Sequence, residues 1–431
     1  MALTGRAVLA AAIGVLVVGL LLPSLLGLAV VEGLLLLGVL TDLLLAAGVR
    51  DLTFTRAGDT AVRLGESAEV TLTVTNPGGR ALRGRLRDAW PPSTGTTTQR
   101  HDLAVPAGER RRVTTTMTPT RRGDRHAHRV TVRSVGPLGL AARQGSHLVP
   151  WRLRVLPGFP SRRLLPSKLE RLRELDGRSA LLTRGAGTEF DTLREYVPGD
   201  DAKSIDWRAS ARNQGVVVRT WRPERDRHIL VVLDTGRTSA GRIGDIPRLD
   251  AAMDATLLLT AVANHAGDRV DLLAYDRRVR AEVRRAPRNG ILPAFVQAMS
   301  TLEPELVEPD ARGLAAEILR RSPRRSLIVL MTGLEREAVQ EGILPVLPQL
   351  AARHEVIVAA VADPAITRMA AHRGDATAVY EAAAAEKELA ERRTTAADLR
   401  RRNVTVVDAP PGELASAVTD MYLALKLAGR L

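Results

Sequence analysis

No cysteine occurs among the 431 residues. That absence removes disulfides, thiolate nucleophiles, iron–sulfur clusters and cysteine-based zinc sites. It leaves the redox compartment open, because a chain without cysteine tolerates either. Aromatic residues are nearly as scarce: Phe, Trp and Tyr occur four times each, 3% of the chain. The cores must therefore be aliphatic, and a nucleic-acid groove would lack its usual stacking platform. A Gly-x-x-x-x-Gly-Lys phosphate loop is also missing, so the chain is not itself a P-loop ATPase. What is present, 45% apolar and 26% charged residues, suits a folded chain of two or three domains.

Charge is unevenly placed. Residues 1–49 hold only Arg6, Glu32 and Asp42, leaving 61 basic and 46 acidic groups, a net +15, for the remainder. Such a surface suits nucleic acid, anionic lipid or an acidic protein, or is simply a solvated Arg-rich face. Residues 7–48 are almost entirely Leu, Val, Ala, Gly and Ile, about twice the ~20 residues of one bilayer crossing. Pro23, Ser24 and Gly27 near the middle predict a transmembrane helical hairpin, about 5–22 and 28–48. Glu32 and Asp42 would reach the interface or hydrogen-bond within the hairpin. Arg50, Arg56 and Arg63 follow the second helix, and the positive-inside bias then places both termini and the soluble domains in the cytoplasm.

The next stretch, 50–150, has the signals of a small β-sandwich. Val70, Leu72 and Val74 alternate with Thr71, Thr73 and Thr75 before Asn76-Pro77-Gly78-Gly79, which predicts a hairpin. Further strands are expected at 112–117 and 129–135. His126 and His128 share one strand face without a third ligand nearby, so they read as solvated. Residues 151–227 form a connector and a charged segment, with a surface helix at 167–176. From 228 to 431 apolar runs alternate with helical patterns. Strands are expected at 229–233, 270–274, 327–331, 356–361 and 404–407, with an antiparallel edge at 279–284. Helices are expected at 248–265, 289–301, 310–321, 338–352, 376–402 and 412–427. This is an α/β fold with a doubly wound, mostly parallel sheet.

Ligands in such sheets collect at the carboxyl ends of the strands, where Asp234-Thr235-Gly236-Arg237-Thr238-Ser239 leaves the first strand. The loop resembles that of a von Willebrand factor type A domain, whose metal-ion-dependent adhesion site has Asp-x-Ser-x-Ser there. Gly236 and Thr238 stand at the two Ser positions, and Gly333, beside Thr332, replaces an expected Asp. The resemblance carries over Asp234 and Thr238, with Asp310 as a third candidate. It implies a degenerate site that is metal-free or holds Mg²⁺ weakly, and otherwise no cofactor.

The densest constellation runs from Gly187-Thr188-Glu189-Phe190 through Arg194-Glu195-Tyr196, Pro198-Gly199-Asp200-Asp201, Ile205-Asp206-Trp207-Arg208 and Ala211-Arg212 to Glu224-Arg225. Opposite charges alternate with a few aromatic anchors, and no His lies between 187 and 227. A catalytic base poised near neutrality would have to be a perturbed carboxylate or Lys, whereas planar Arg–carboxylate pairs that lock an extended loop onto the sheet need no chemistry. These residues resemble the signature of the domain-of-unknown-function 58 family. The resemblance implies a membrane-anchored, non-enzymatic interaction scaffold that works with a MoxR-type AAA+ ATPase in assembly or maturation of other complexes. The expected partner surface is Glu189, Arg194, Glu195, Tyr196, Asp200, Asp201, Asp206, Trp207 and Arg208. Within it Ile205 and Trp207 should pack inward, Asp206 should be paired, and Asp200 and Asp201 should stay exposed for the partner. The alternatives are a metal-dependent hydrolase using the signature carboxylates, or an anionic-lipid or nucleic-acid binder. No specific nucleic acid is expected.

Overall fold

The computed structural model describes residues 1–182, 189–198, 200, 202–212, 215–222 and 227–431. The chain forms two compact units, Met1–Leu156 and Pro157–Leu431.

In the first unit, helices α1 (Gly5–Leu20) and α2 (Leu25–Leu45) are separated at Pro23 and Ser24. Proline supplies no amide to continue α1, and the Ser24 hydroxyl caps α2 by accepting the Gly27 N–H at 3.1 Å. The helices pack together through small residues. A Cβ on the buried Gly14 would lie 2.6 Å from Val31 Cγ1. By length and composition α2 could cross a membrane, while α1 is a shorter apolar helix of 16 residues.

The far ends of both helices are tied to β structure. Ala2 and Leu3 add a short strand opposite Ala142 and Ala141. Asp42 is fully buried. Its side-chain hydrogen bonds lie outside the helix pair: the carboxylate accepts the N–H groups of Leu138 (2.7 Å), Leu140 and Ala141 (3.0 Å). A tight turn leaves such amides without ladder partners, and a carboxylate satisfies three of them. Glu32 stays exposed on α2.

Two layers follow. One, antiparallel, holds Thr53–Gly58, Ala68–Thr75 and Arg110–Met117; the other holds Leu82–Asp88, Arg100–Val105, Gly123–Val135 and Ala141–Leu156 in antiparallel pairs, with Ala61–Arg63 parallel to the last. Leu72 and Val74 from the first layer share a core with Leu82, Leu86, Val130 and Val132 from the second. The hairpin expected at Asn76-Pro77-Gly78-Gly79 is not one. Ala68–Thr75 pairs with 53–58 and 110–117, and Leu82–Asp88 pairs in the other layer. The turn crosses between layers because the buried Asn76 amide donates to the carbonyls of Arg80 (2.9 Å), Val105 (3.1 Å) and Pro106 (3.2 Å).

Arg56 is likewise no juxtamembrane surface charge. Its guanidinium forks onto Asp88 at 2.6 and 2.9 Å with both side chains 1% exposed, and its Nε donates to the Val149 carbonyl at 3.0 Å. The last strand continues past residue 150 to Leu156. At the other boundary, Ala47 and Val49 belong to the shared core.

The second unit is built on a six-stranded sheet. In spatial order its strands are Val279–Val283, Arg269–Tyr275, His228–Asp234, Leu327–Met331, Glu355–Val361 and Thr405–Ala409, all parallel except the first. Near-continuous burial along these strands reflects cover on both faces. The long helix over Leu165–Leu182 is α3, which contains the expected surface helix. Lys168 at its start is buried and reaches Asp420 at 2.7 Å. After a one-turn α4 (Trp207–Ser210), helix α5 (Arg248–His265) covers one face of the sheet. On the other face Leu230 and Val232 join side chains of α7 (Ala311–Arg321), which follows α6 (Ile291–Ser300). The helix expected at 338–352 forms, but begins as a π-helical turn, Ala338–Ile343, that runs without a break into α8 (Leu344–Ala351), where Pro345 and Pro348 remove amide donors. Asp363 caps an unanticipated α9 (Pro364–Ala371), and α10 (Ala376–Arg400) and α11 (Pro411–Leu427) complete the unit.

Candidate functional site

Counted along the chain, the sheet order is 3-2-1-4-5-6, so connections run in opposite directions from the strands 228–234 and 327–331. A crevice outside their carboxyl ends is where such sheets take ligands. Asp234 ends the first of these strands and Thr332 follows the second. The buried Asp234 Oδ1 accepts the Gly236 N–H at 2.7 Å, while Oδ2 accepts the hydroxyls of Thr238 and, at 2.7 Å, Thr332. Burial pushes this carboxyl above the ordinary range; the three donors oppose that push, and the nearby Glu335 adds to it. Glu335 is bonded to Arg248, which also donates to the Thr238 carbonyl at 3.3 Å. Arg248 opens α5 directly after the loop, and nothing in the sequence pattern marks it as part of the site.

The structure brings Asp234 and Thr238 together but turns Asp310 to other use. Asp310 is the N-cap of α7, accepting the Gly313 N–H at 3.0 Å. Among the described residues no group of three or more His, Asp and Glu is gathered as for a metal. Both Asp234 oxygens are engaged by hydrogen-bond donors, and the second carboxylate, Glu335, already faces a guanidinium. The cluster is held by its own hydrogen bonds, yet its groups are carboxylate and hydroxyl oxygens of the kind that bind hard divalent cations, and Glu335 Oε2 is buried without a hydrogen-bond partner among the described residues.

The charged segment forms its own two-stranded sheet, Glu189–Glu195 with Val217–Arg222, rather than joining the large one. Its ion pairs are internal. Arg194 forks onto Asp200 at 2.6 and 2.7 Å, and Arg219 meets Asp206 at 2.7 Å. Asp206 also caps α4 through the N–H groups of Arg208 and Ala209, both at 3.0 Å. Arg194 and the Val197 amide hold the Asp200 carboxyl down at about 2. The Ala209 amide and then Arg219 lower that of Asp206.

Two expectations are reversed here. Asp200, expected to stay exposed, is half-buried and paired with Arg194, and Trp207, expected to pack inward, is 68% exposed. The helix α4 has a single turn, whereas Ile205, bridged to Val218, is half-buried. Leu193, Tyr196, Val197 and Val216 are also exposed on this arm, with Glu195 and Arg208 beside them. Asp201 and the side chain of Glu189 lie outside the described residues.

The fold is therefore mixed α/β, with several sheets and an apolar N-terminal helix long enough to cross a membrane. Residues 192–404 match the model of a family described as protein of unknown function DUF58. An uncharacterized protein of Mycobacterium tuberculosis is 28% identical over 192 residues, 42% of this chain and 57% of that protein. The uncharacterized protein YeaD of Bacillus subtilis is 27% identical over 148 residues, 34% of this chain and 35% of its own length. The chain thus spans little more than half of the mycobacterial relative. Among solved structures, the CARDB domain of the PF1109 protein from Pyrococcus furiosus resembles 24% of this chain over 92% of its own length, at 21% identity and a TM-score of 0.19. The FixG-related protein from Vibrio parahaemolyticus resembles 25% of it over 98% of its own length, at 12% identity and a TM-score of 0.18. Scores this low carry no argument.

Proposed function

We propose that the chain is a membrane-anchored, non-enzymatic interaction scaffold, and that its partner is a MoxR-type AAA+ ATPase engaged in assembly or maturation of other complexes. In this reading α1 and α2 cross the inner membrane as a two-pass anchor, the remainder lies in the cytoplasm, and the second unit is a von Willebrand factor type A-like domain. The pairing of Ala2 and Leu3 with Ala142 and Ala141 supports the two-pass topology, since it ties the start of α1 to the same β layer that Asp42 ties to the end of α2. The strand order and the Asp234–Thr238–Thr332 cluster support the type A likeness.

The observation that carries the reading is an apolar, aromatic arm held open by ion pairs. Trp207, Tyr196 and Val197 stay exposed while Arg194–Asp200 and Arg219–Asp206 brace the strands beneath them. Exposed Trp and Tyr on a braced scaffold are the usual anchors of a protein interface. Asp200 and Asp206 have their oxygens taken up by Arg194, Arg219 and backbone amides, which supports a bracing role over a ligating or catalytic one.

The test is binding of a purified MoxR-type ATPase to the full chain in detergent. Trp207→Ser with Tyr196→Ser should weaken binding at least about tenfold and leave thermal unfolding unchanged. Equal binding by the variant would sink the proposal.

A further inference from the structure

The cleft where α2 enters the β layers contains a cavity. Its volume is about 430 Å³, and its walls include Gly48, Asp51, Asn76, Gly78, Arg80 and Arg143. The last carbonyls of a helix have no partner within it, and here two arginines supply one each. Arg143 Nε donates to the Leu43 carbonyl at 2.8 Å, and Arg80 donates to that of Leu44. A guanidinium carries five N–H donors, so each keeps several beyond the bond to the helix. No ion pair is made by either arginine among the described residues, although Asp51 stands in the same wall.

We propose that this cleft binds the phosphodiester of a phospholipid headgroup. The inference rests on the reading of α2 as a membrane helix, because the end of such a helix lies at headgroup depth. The helix carbonyls hold the two guanidinium groups in place, and a phosphate fits their planar donor forks better than it fits any ammonium. The cleft sets two cations against one carboxylate, so an anion is attracted and Asp51 limits how strongly.

The full chain in detergent is titrated with dihexanoyl phosphatidylglycerol, followed by calorimetry, with inorganic phosphate as the comparison. Saturable lipid binding is expected to weaken about tenfold or more in Arg80→Gln/Arg143→Gln and to tighten about twofold to fivefold in Asp51→Asn. Equal lipid affinity of the arginine variant and the parent would overturn the site, and phosphate binding as tight as lipid would overturn the lipid assignment. Should the arginine variant fail to fold, Asp51→Asn decides, and no tightening there overturns the proposal. Alkaline extraction of membranes tests the anchor separately. An extraction-resistant protein that ignores the lipid refutes the cleft alone, whereas a protein released by alkali refutes the membrane reading.

Discussion

The buried Asp234 carboxyl contributes to the pH signature of the second unit. Because burial raises Asp234 above its ordinary value, the folded state keeps a proton that the unfolded chain releases at about pH 4. The stability this contributes is fully present in acid and declines as pH rises through the folded value. Asp234→Asn keeps the shape and cannot titrate, so its stability relative to the parent should improve as pH rises from about 4 and then level off. Urea unfolding across that range measures it, and a difference independent of pH would contradict the assignment. In the first unit, Asp88→Ala leaves the Arg56 guanidinium buried and alone. The expected loss is roughly 3–5 kcal/mol, while Arg85→Ala, which breaks an exposed pair with Asp102, should change stability by less than about 1 kcal/mol.

At the level of elements, the α1–α2 contact depends on Gly14, since the approach of Val31 leaves no room for a Cβ. Small residues are what let apolar helices meet closely where no water drives them together. Gly14→Leu should separate the pair. The natural absence of cysteine makes this directly measurable, because a cysteine pair introduced across the two helices will form its disulfide in the parent and several-fold less in the variant. The same logic separates brace from surface on the 189–222 arm. Arg194–Asp200 and Arg219–Asp206 each tie the segment between the strands to one of them, while Trp207, 68% exposed, should contribute little to stability.

For the molecule as a whole, the question is where the anchor ends. A cut at Val49, which the composition suggests, would remove Ala47 and Val49 from the core they share with Leu72 and Leu82. A fragment of residues 46–431 should therefore be released from membranes and fold. A fragment of residues 50–431 should be less stable by about 2 kcal/mol, roughly the burial of one Val side chain. Thermal unfolding of the two fragments compares them, and equal midpoints would show that the segment 46–49 contributes nothing.

Periodicity alone determined much of the second unit. Each strand of the large sheet and its order of appearance, the antiparallel edge at 279–283 and the span of α5 follow from runs of Val, Ile and Leu that only a sheet covered on both faces can bury. The exit of Asp234 at a strand end was legible for the same reason. The first unit was less readable, because alternation marks a strand without naming its neighbour. That Ala68–Thr75 turns away from Leu82–Asp88, that Arg56 is a core residue and that Asp42 closes a turn almost a hundred residues away were decided by tertiary packing. So were the pairing of Asp200 and the exposure of Trp207. A charged or aromatic side chain has no period of its own, and its place depends on which partner the folded chain brings within reach of it.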